Sequence, residues 1–139
     1  MRFMVIVKAN EESESGALPS TEMLAEMGKF NEELVKAGVM LAAEGLHASS
    51  KGVRVRFNGG KHTVIDGPFT ETKELVAGFW LWQCRSLDEA IEWLKRAPFD
   101  QTEVEIRRVF ESEDFAPSDP TGELRAAEER MRAQAAAKQ

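Results

Sequence analysis

Val64-Ile65-Asp66-Gly67-Pro68-Phe69-Thr70-Glu71-Thr72-Lys73-Glu74 carries an apolar strand into a rigid turn and then into clustered charge, and the run Leu75 to Cys84 follows at once. Gly67 can take a positive φ at no steric cost and Pro68 fixes its own φ near −65°, so the carboxylate of Asp66 is held in a defined place. Two readings stand side by side: a well-made surface turn, or the rim of a built site. Leu75 to Cys84 is apolar at almost every position, with Phe79 and Leu81 on one side and Trp80 and Trp82 on the other. A strand of that kind needs cover on both faces and is expected at the centre of a sheet.

Working outward, Gly52 to Phe57 alternates in polarity, Asn58-Gly59-Gly60 supplies a turn, and Lys61 to Ile65 returns, which predicts a β-hairpin. Val39 to Ala43 reads as a strand that leaves through the bend Glu44-Gly45-Leu46-His47. Residues 2 to 8 give an interior strand, apolar on both faces, and Asn10 to Gly16 reads as a polar loop. Ser20 or Thr21 can cap a helix whose apolar positions Met23, Leu24, Met27, Phe30, Leu34 and Val35 keep a 3.6-residue period, closed by Gly38. Ser86-Leu87-Asp88-Glu89 is a capping box opening a second helix, with Leu87, Ala90, Ile91 and Leu94 inward and Pro98 as its stop, and Glu103 to Phe110 gives the last strand.

Without the hairpin the order is βαββαβ, so the expected class is α+β, ferredoxin-like with a β-hairpin insertion, two helices covering one face of an antiparallel sheet. The uncovered face is apolar and needs a second sheet, which predicts a homodimer with sheets face to face. The division is into residues 1–115, the α+β domain, and 116–139, a linker with a helical tail. In that tail Pro117, Asp119, Pro120 and Gly122 are linker, and Glu123 to Lys138 is an Ala-, Glu- and Arg-rich helix, either weakly docked or solvated.

Composition removes several function classes. Lys and Arg number 18 against 24 Asp and Glu, a net charge of −6, which argues against nucleic acid or an anionic membrane surface as partner. The single cysteine, Cys84, cannot form an internal disulfide, which suits a reducing compartment. The five-residue apolar run near the N-terminus fits neither a signal peptide nor a membrane span, so a cytoplasmic location is expected. Two histidines and one cysteine without HxH, HExxH or CxxC spacing give no basis for a metal site, and no cofactor is expected.

The residues left for chemistry lie at strand ends and bends. Asp66 and His47 could form an acid–base pair, since imidazole titrates near neutrality and a carboxylate fixes its tautomer. The bland alternative for His47 is a loop histidine bonded to backbone, and His62, on the polar hairpin strand, is expected to be exposed. Substrate contacts are expected from Glu44, Arg54, Lys73, Glu74, Trp80 and Trp82, the cations orienting a small anionic ligand. For Arg54 the alternative is solvated charge, and for both tryptophans it is sheet core.

The string Asp66-Gly67-Pro68-Phe69-Thr70-Glu71-Thr72-Lys73-Glu74 with Gly78-Phe79, Glu44-Gly45-Leu46-His47 upstream and Leu87-Asp88-Glu89-Ala90 downstream resembles the YCII-related, DGPF-motif family over residues 2 to 110. The resemblance implies a dimeric α+β barrel, a bacterial cytoplasmic origin and either a small-molecule enzyme or a non-catalytic ligand-binding or regulatory dimer, linked in its gene neighbourhoods to alternative sigma factors. It also implies a His–Asp pair whose His lies in the first helix, yet Met23 to Lys36 contains no His.

Overall fold

The structure is a computed structural model and describes residues 1–71 and 74–139. The chain forms two compact units, Met1–Arg108 and Val109–Gln139.

In the first unit, β1 (Arg2–Lys8), β2 (Met40–Gly45), β5 (Val76–Gln83) and β6 (Val104–Arg108) form a four-stranded sheet in the order β2-β5-β1-β6. All its pairings are antiparallel. Helices α2 (Thr21–Lys36) and α3 (Leu87–Leu94) complete βαββαβ, and β3 (Val53–Asn58) with β4 (Lys61–Asp66) form a separate two-stranded sheet. This is the α+β, ferredoxin-like topology with a hairpin insertion. The hairpin turn places both Gly59 and Gly60 at positive φ, 56° and 82°, where a side chain would be strained.

Why α2 sits where it does follows from its ends and its stripe. The Ser20 hydroxyl accepts from the Met23 N–H at 3.1 Å. At the other end the Val39 N–H donates to Leu34 O and the Gly38 N–H to Val35 O, a Schellman closure around Gly38 at φ 71°. Between them Phe30 and Leu34 are buried against Phe3, Val5, Trp80 and Trp82. Leu24 and Val35, at the edges of the helical stripe, stay exposed. Phe30 meets Trp80 edge-on at 5.9 Å between ring centroids and Trp82 at 6.2 Å, contacts that add to the burial of the rings themselves. Cys84 closes the same core, and burial pushes its thiol pKa up, which suits a small hydrophobe rather than a nucleophile.

Strand alternation sends Trp80 and Trp82 to the helix side and Phe79 and Leu81 to the other. On that second face Leu81 pairs with Met4 and Phe79 with Ile6, and all four are half-buried. Glu105 crosses beside them, bonded to Lys8 at 3.2 Å. No helix among the described residues is long and apolar enough to cross a membrane.

Local chemistry explains the departures from the sequence reading. Asn10 to Gly16 contains a short helix, α1 (Glu11–Glu14), because Asn10 and Ser13 cap each other reciprocally. Glu89 does not complete a capping box: its carboxylate accepts from the N–H and the Nε of Arg85, one residue before the cap Ser86. Helix α3 ends at Leu94, four residues before Pro98, and Leu87 is exposed rather than inward.

The second unit holds a 3₁₀ segment, Ser112–Ser118, and helix α4 (Glu123–Ala137). The expected linker residue Asp119 is buried and does structural work in place of the side chain that Gly122 lacks. Its carboxylate accepts from the Leu124 and Arg125 N–H groups and from Arg125 Nε, at 3.2, 3.0 and 3.0 Å. These bonds and the positive guanidinium lower its pKa. A carboxyl whose folded pKa is depressed stabilises in full above its unfolded pKa of about 3.9 and stops doing so as pH falls through the folded value. Acid titration followed by circular dichroism at 222 nm should therefore show α4 melting below about pH 4 in the native chain; in Asp119→Asn that step should be absent and the helix weaker at neutral pH.

Candidate functional site

At the end of the sheet where β2 leaves and β5 begins, two glycines face each other, Gly45 opposite Gly78. A Cβ on Gly78 would lie 2.8 Å from the Glu44 carbonyl oxygen and 3.3 Å from Gly45 Cα. Only hydrogen fits there, which is why a glycine interrupts an otherwise bulky strand. Beside this backbone floor lies an open pocket of about 280 Å³, walled by Val7, Met27, Phe79, Trp80 and Phe99. Its polar side chains are Asn31 and Glu44.

Asn31 is one helical turn past Met27, on the flank of the apolar stripe. Its Oδ1 accepts from the Trp80 indole N–H at 2.9 Å. That bond fixes which way the amide points, so its NH₂ group keeps its two donors for another partner. Glu44 pairs with Phe79, and alternation puts its side chain on the side away from α2, so it borders the pocket at the rim.

The Asp66–Phe69 turn is built on a different set of contacts. The Gly67 N–H donates to Gly52 O at 3.0 Å, and the Gly67–Pro68 peptide is cis. A Cβ on Gly67 would stand 1.8 Å from the Ser49 carbonyl oxygen, so this position excludes every other residue by contact rather than by φ. Ser49 ties three segments together. Its hydroxyl accepts from the Phe69 N–H at 3.1 Å and donates to Glu14 Oε2 at 2.5 Å, while its N–H reaches Glu14 Oε1 at 3.0 Å. Phe69 itself is half-buried rather than inserted in the core, and the Arg54 guanidinium stacks on its ring at 3.8 Å.

The sequence-derived candidates therefore separate. Asp66 ends β4 opposite Val53, His47 lies in the loop after β2, both are exposed, and among the described residues no hydrogen bond or ion pair joins them. Glu44 and Trp80 meet at the pocket. Trp82 is fully buried beneath Phe30, where a ligand would have to open the core to touch it. Arg54 is engaged with Phe69, and Glu74 is exposed, its N–H bonded to Glu71 O. Lys73 lies outside the described residues. Among the described residues no group of three or more His, Cys, Asp or Glu is placed to hold a metal ion.

Sequence reasoning missed Asn31, Met27 and Phe99 at the pocket and Glu14 and Ser49 beneath the turn. Two signals were legible: a polar residue next to the apolar stripe of α2, and glycines inside strand patterns, which mark close backbone approach. The Glu14–Ser49 pair, 35 residues apart, left no local trace.

Topology and pocket together define the class: an α+β subunit of ferredoxin-like topology with a hairpin insertion and an apolar pocket at the end of its sheet. The chain belongs to the family of YCII-related domains, whose model matches residues 1–113. It is similar to an uncharacterized protein of Rhizobium meliloti (strain 1021), 33% identical over 89 residues that cover 62% of this chain and 72% of that protein. Among solved structures it is similar to the 5-chloro-2-hydroxyhydroquinone dehydrochlorinase of Burkholderia phenoliruptrix AC1100, in complex with 2,5-dihydroxybenzoquinone. That likeness has 18% identity and a TM-score of 0.40, over 81% of this chain and 98% of the other.

The contact at Gly67 is testable by itself. Gly67→Ala should lower stability by about 2 kcal/mol or more, because the new methyl group must displace backbone rather than a flexible side chain. Urea denaturation measures the loss, and amide shifts of Ser49, Gly52 and Phe69 should move most in the NMR spectrum of the folded variant.

Proposed function

We propose that this protein binds a small, neutral, largely apolar molecule in the pocket between α2 and the β2–β5 end of the sheet. The observation that carries this reading is the lining: aromatic and aliphatic walls, a bare backbone floor and the oriented amide of Asn31. Such a surface favours a ring or short chain bearing a carbonyl or hydroxyl oxygen, which accepts from the Asn31 NH₂ group. A neutral ligand fits better than an anionic one. The lining's one ionisable residue is Glu44, a carboxylate, and the cations Arg54, Arg56 and Lys61 belong to the hairpin.

The working unit on this reading is a homodimer, in which the half-buried face of Met4, Ile6, Phe79 and Leu81 is covered by the same face of a second copy. Acid–base catalysis by Asp66 and His47 is a second reading. It is favoured by the Glu14–Ser49–Phe69 network, which holds the turn carrying Asp66 more firmly than an exposed loop requires. On that reading Asp66→Ala lowers turnover more than stability.

Trp80 in the wall provides the measurement. Phenol and 4-hydroxybenzaldehyde should change tryptophan fluorescence saturably, and more tightly than benzoate. Asn31→Asp retains an acceptor for the Trp80 indole but loses the donor, and should weaken the aldehyde about tenfold. Ala43→Leu should block all three by filling the pocket. Equal affinity for benzoate and the neutral rings, or unchanged binding in Ala43→Leu, would overturn the reading.

A further inference from the structure

The two faces of the β3–β4 hairpin are unlike. One carries Arg54, Arg56, Thr63 and Ile65. It turns toward its own chain, since Arg54 stacks on Phe69 and Ile65 is half-buried. The other carries Val53, Val55, Phe57 and Val64, with exposures of 60, 47, 75 and 65%. Solvated faces of antiparallel sheets are normally polar, and a lone two-stranded hairpin is marginal in water unless it packs on something. This face is an interaction surface left uncovered within one chain.

The polar groups at its ends select the occupant. Asp66, opposite Val53, closes one end of the apolar strip, and His62, opposite Phe57, closes the other. His62 is held edge-on against the Phe57 ring at 4.9 Å. We propose that this face packs on the same face of a second copy, about a two-fold axis lying across the strands. That axis reverses strand direction while keeping β4 over β4. Val64 and Val55 then meet their own counterparts near the axis, Val53 meets the partner's Phe57, and Asp66 meets the partner's His62 at both ends. A two-fold axis along the strands would instead lay β4 over β3, setting Asp66 on the partner's Val53 and His62 on the partner's Phe57, so the carboxylate would be covered by apolar surface with no donor, and the first arrangement is favoured. No Lys, Arg or Glu shares this face: Arg54, Arg56 and Lys61 are all on its reverse.

Two six-residue strands present a footprint of roughly 20 by 10 Å, well short of the about 800 Å² per partner of a stable interface. The hairpin contact therefore acts as a clamp beside a larger one. It is independent of the pocket, and it is separable from the sheet-face contact because the two use different residues.

Sedimentation equilibrium of the full-length chain between 1 and 100 µM tests it, with Leu81→Glu as the sheet-face variant and circular dichroism to confirm folding. Phe57→Ser and His62→Glu should each weaken self-association at least tenfold, the second by setting two carboxylates against each other. The charge swap His62→Glu with Asp66→Lys should restore affinity to within threefold of the native chain. A native chain that is monomeric at 100 µM would overturn the proposal, as would single variants that associate normally or a swap that rescues nothing. If Leu81→Glu alone weakens association and the hairpin variants do not, the sheet-face reading survives and the hairpin contact is refuted.

Discussion

Phe30, packed edge-on against both Trp80 and Trp82, is the contact from which most of the first unit follows. It joins the middle of α2 to one of the two interior strands, and rings in this geometry tolerate little sliding. Once Phe30 is seated, the next residue along the helix has little freedom, and Asn31 reaches the Trp80 indole at 2.9 Å. The same contact that builds the core thus orients the polar group of the pocket. Met27, one turn earlier, becomes a wall by the same periodicity.

A second constraint is subtractive. Gly78 and Gly67 are places where backbone must pass backbone, 2.8 and 1.8 Å from where a Cβ would stand. The first opens the floor of the pocket, and the second lets the Asp66–Phe69 turn close on the Ser49 loop. Gly45, opposite Gly78, and the Asp66–Phe69 turn bracket the stretch 46–65, which holds Lys51, Arg54, Arg56, Lys61 and both histidines but no carboxylate, on a chain of net charge −6. Charge and shape therefore mark the insertion as a distinct part of the molecule, carried on a scaffold that would be complete without it.

The topology was legible because local and global signals agree. Strand and helix periods, the Ser20 and Ser86 caps, the Gly38 closure and the paired glycines of the hairpin each specify one element, and together they specify one order. What sequence could not show is the direction taken by a side chain when two segments distant in the chain meet. The hairpin carries Asp66 opposite Val53, and His47 lies in the loop after β2 that the Asp66–Phe69 turn meets through Ser49, a meeting that neither segment's sequence announces. Trp80 and Trp82 look equivalent in sequence. Both are buried beneath Phe30, and what separates them is the pocket, which Trp80 lines at the sheet end where the glycines leave room and Trp82 does not.

Asp66 shows how far the consequences of that placement run. Its neighbour Gly67 is locked to the Ser49 loop, so the carboxylate is held at a fixed height at the end of the hairpin face. A carboxylate that served only solubility would need no such anchorage, because exposed charge works from any rotamer. Rigid backbone matters when a partner group must be met at a set distance, and the groups sharing that face are four apolar side chains and one imidazole. A carboxylate at one end, an imidazole N–H at the other and apolar surface between them form the pattern that our proposed contact pairs with a reversed copy of itself. On the contact we propose, the Asp66–Phe69 turn is less a pocket lip than the fixed end of a self-complementary surface.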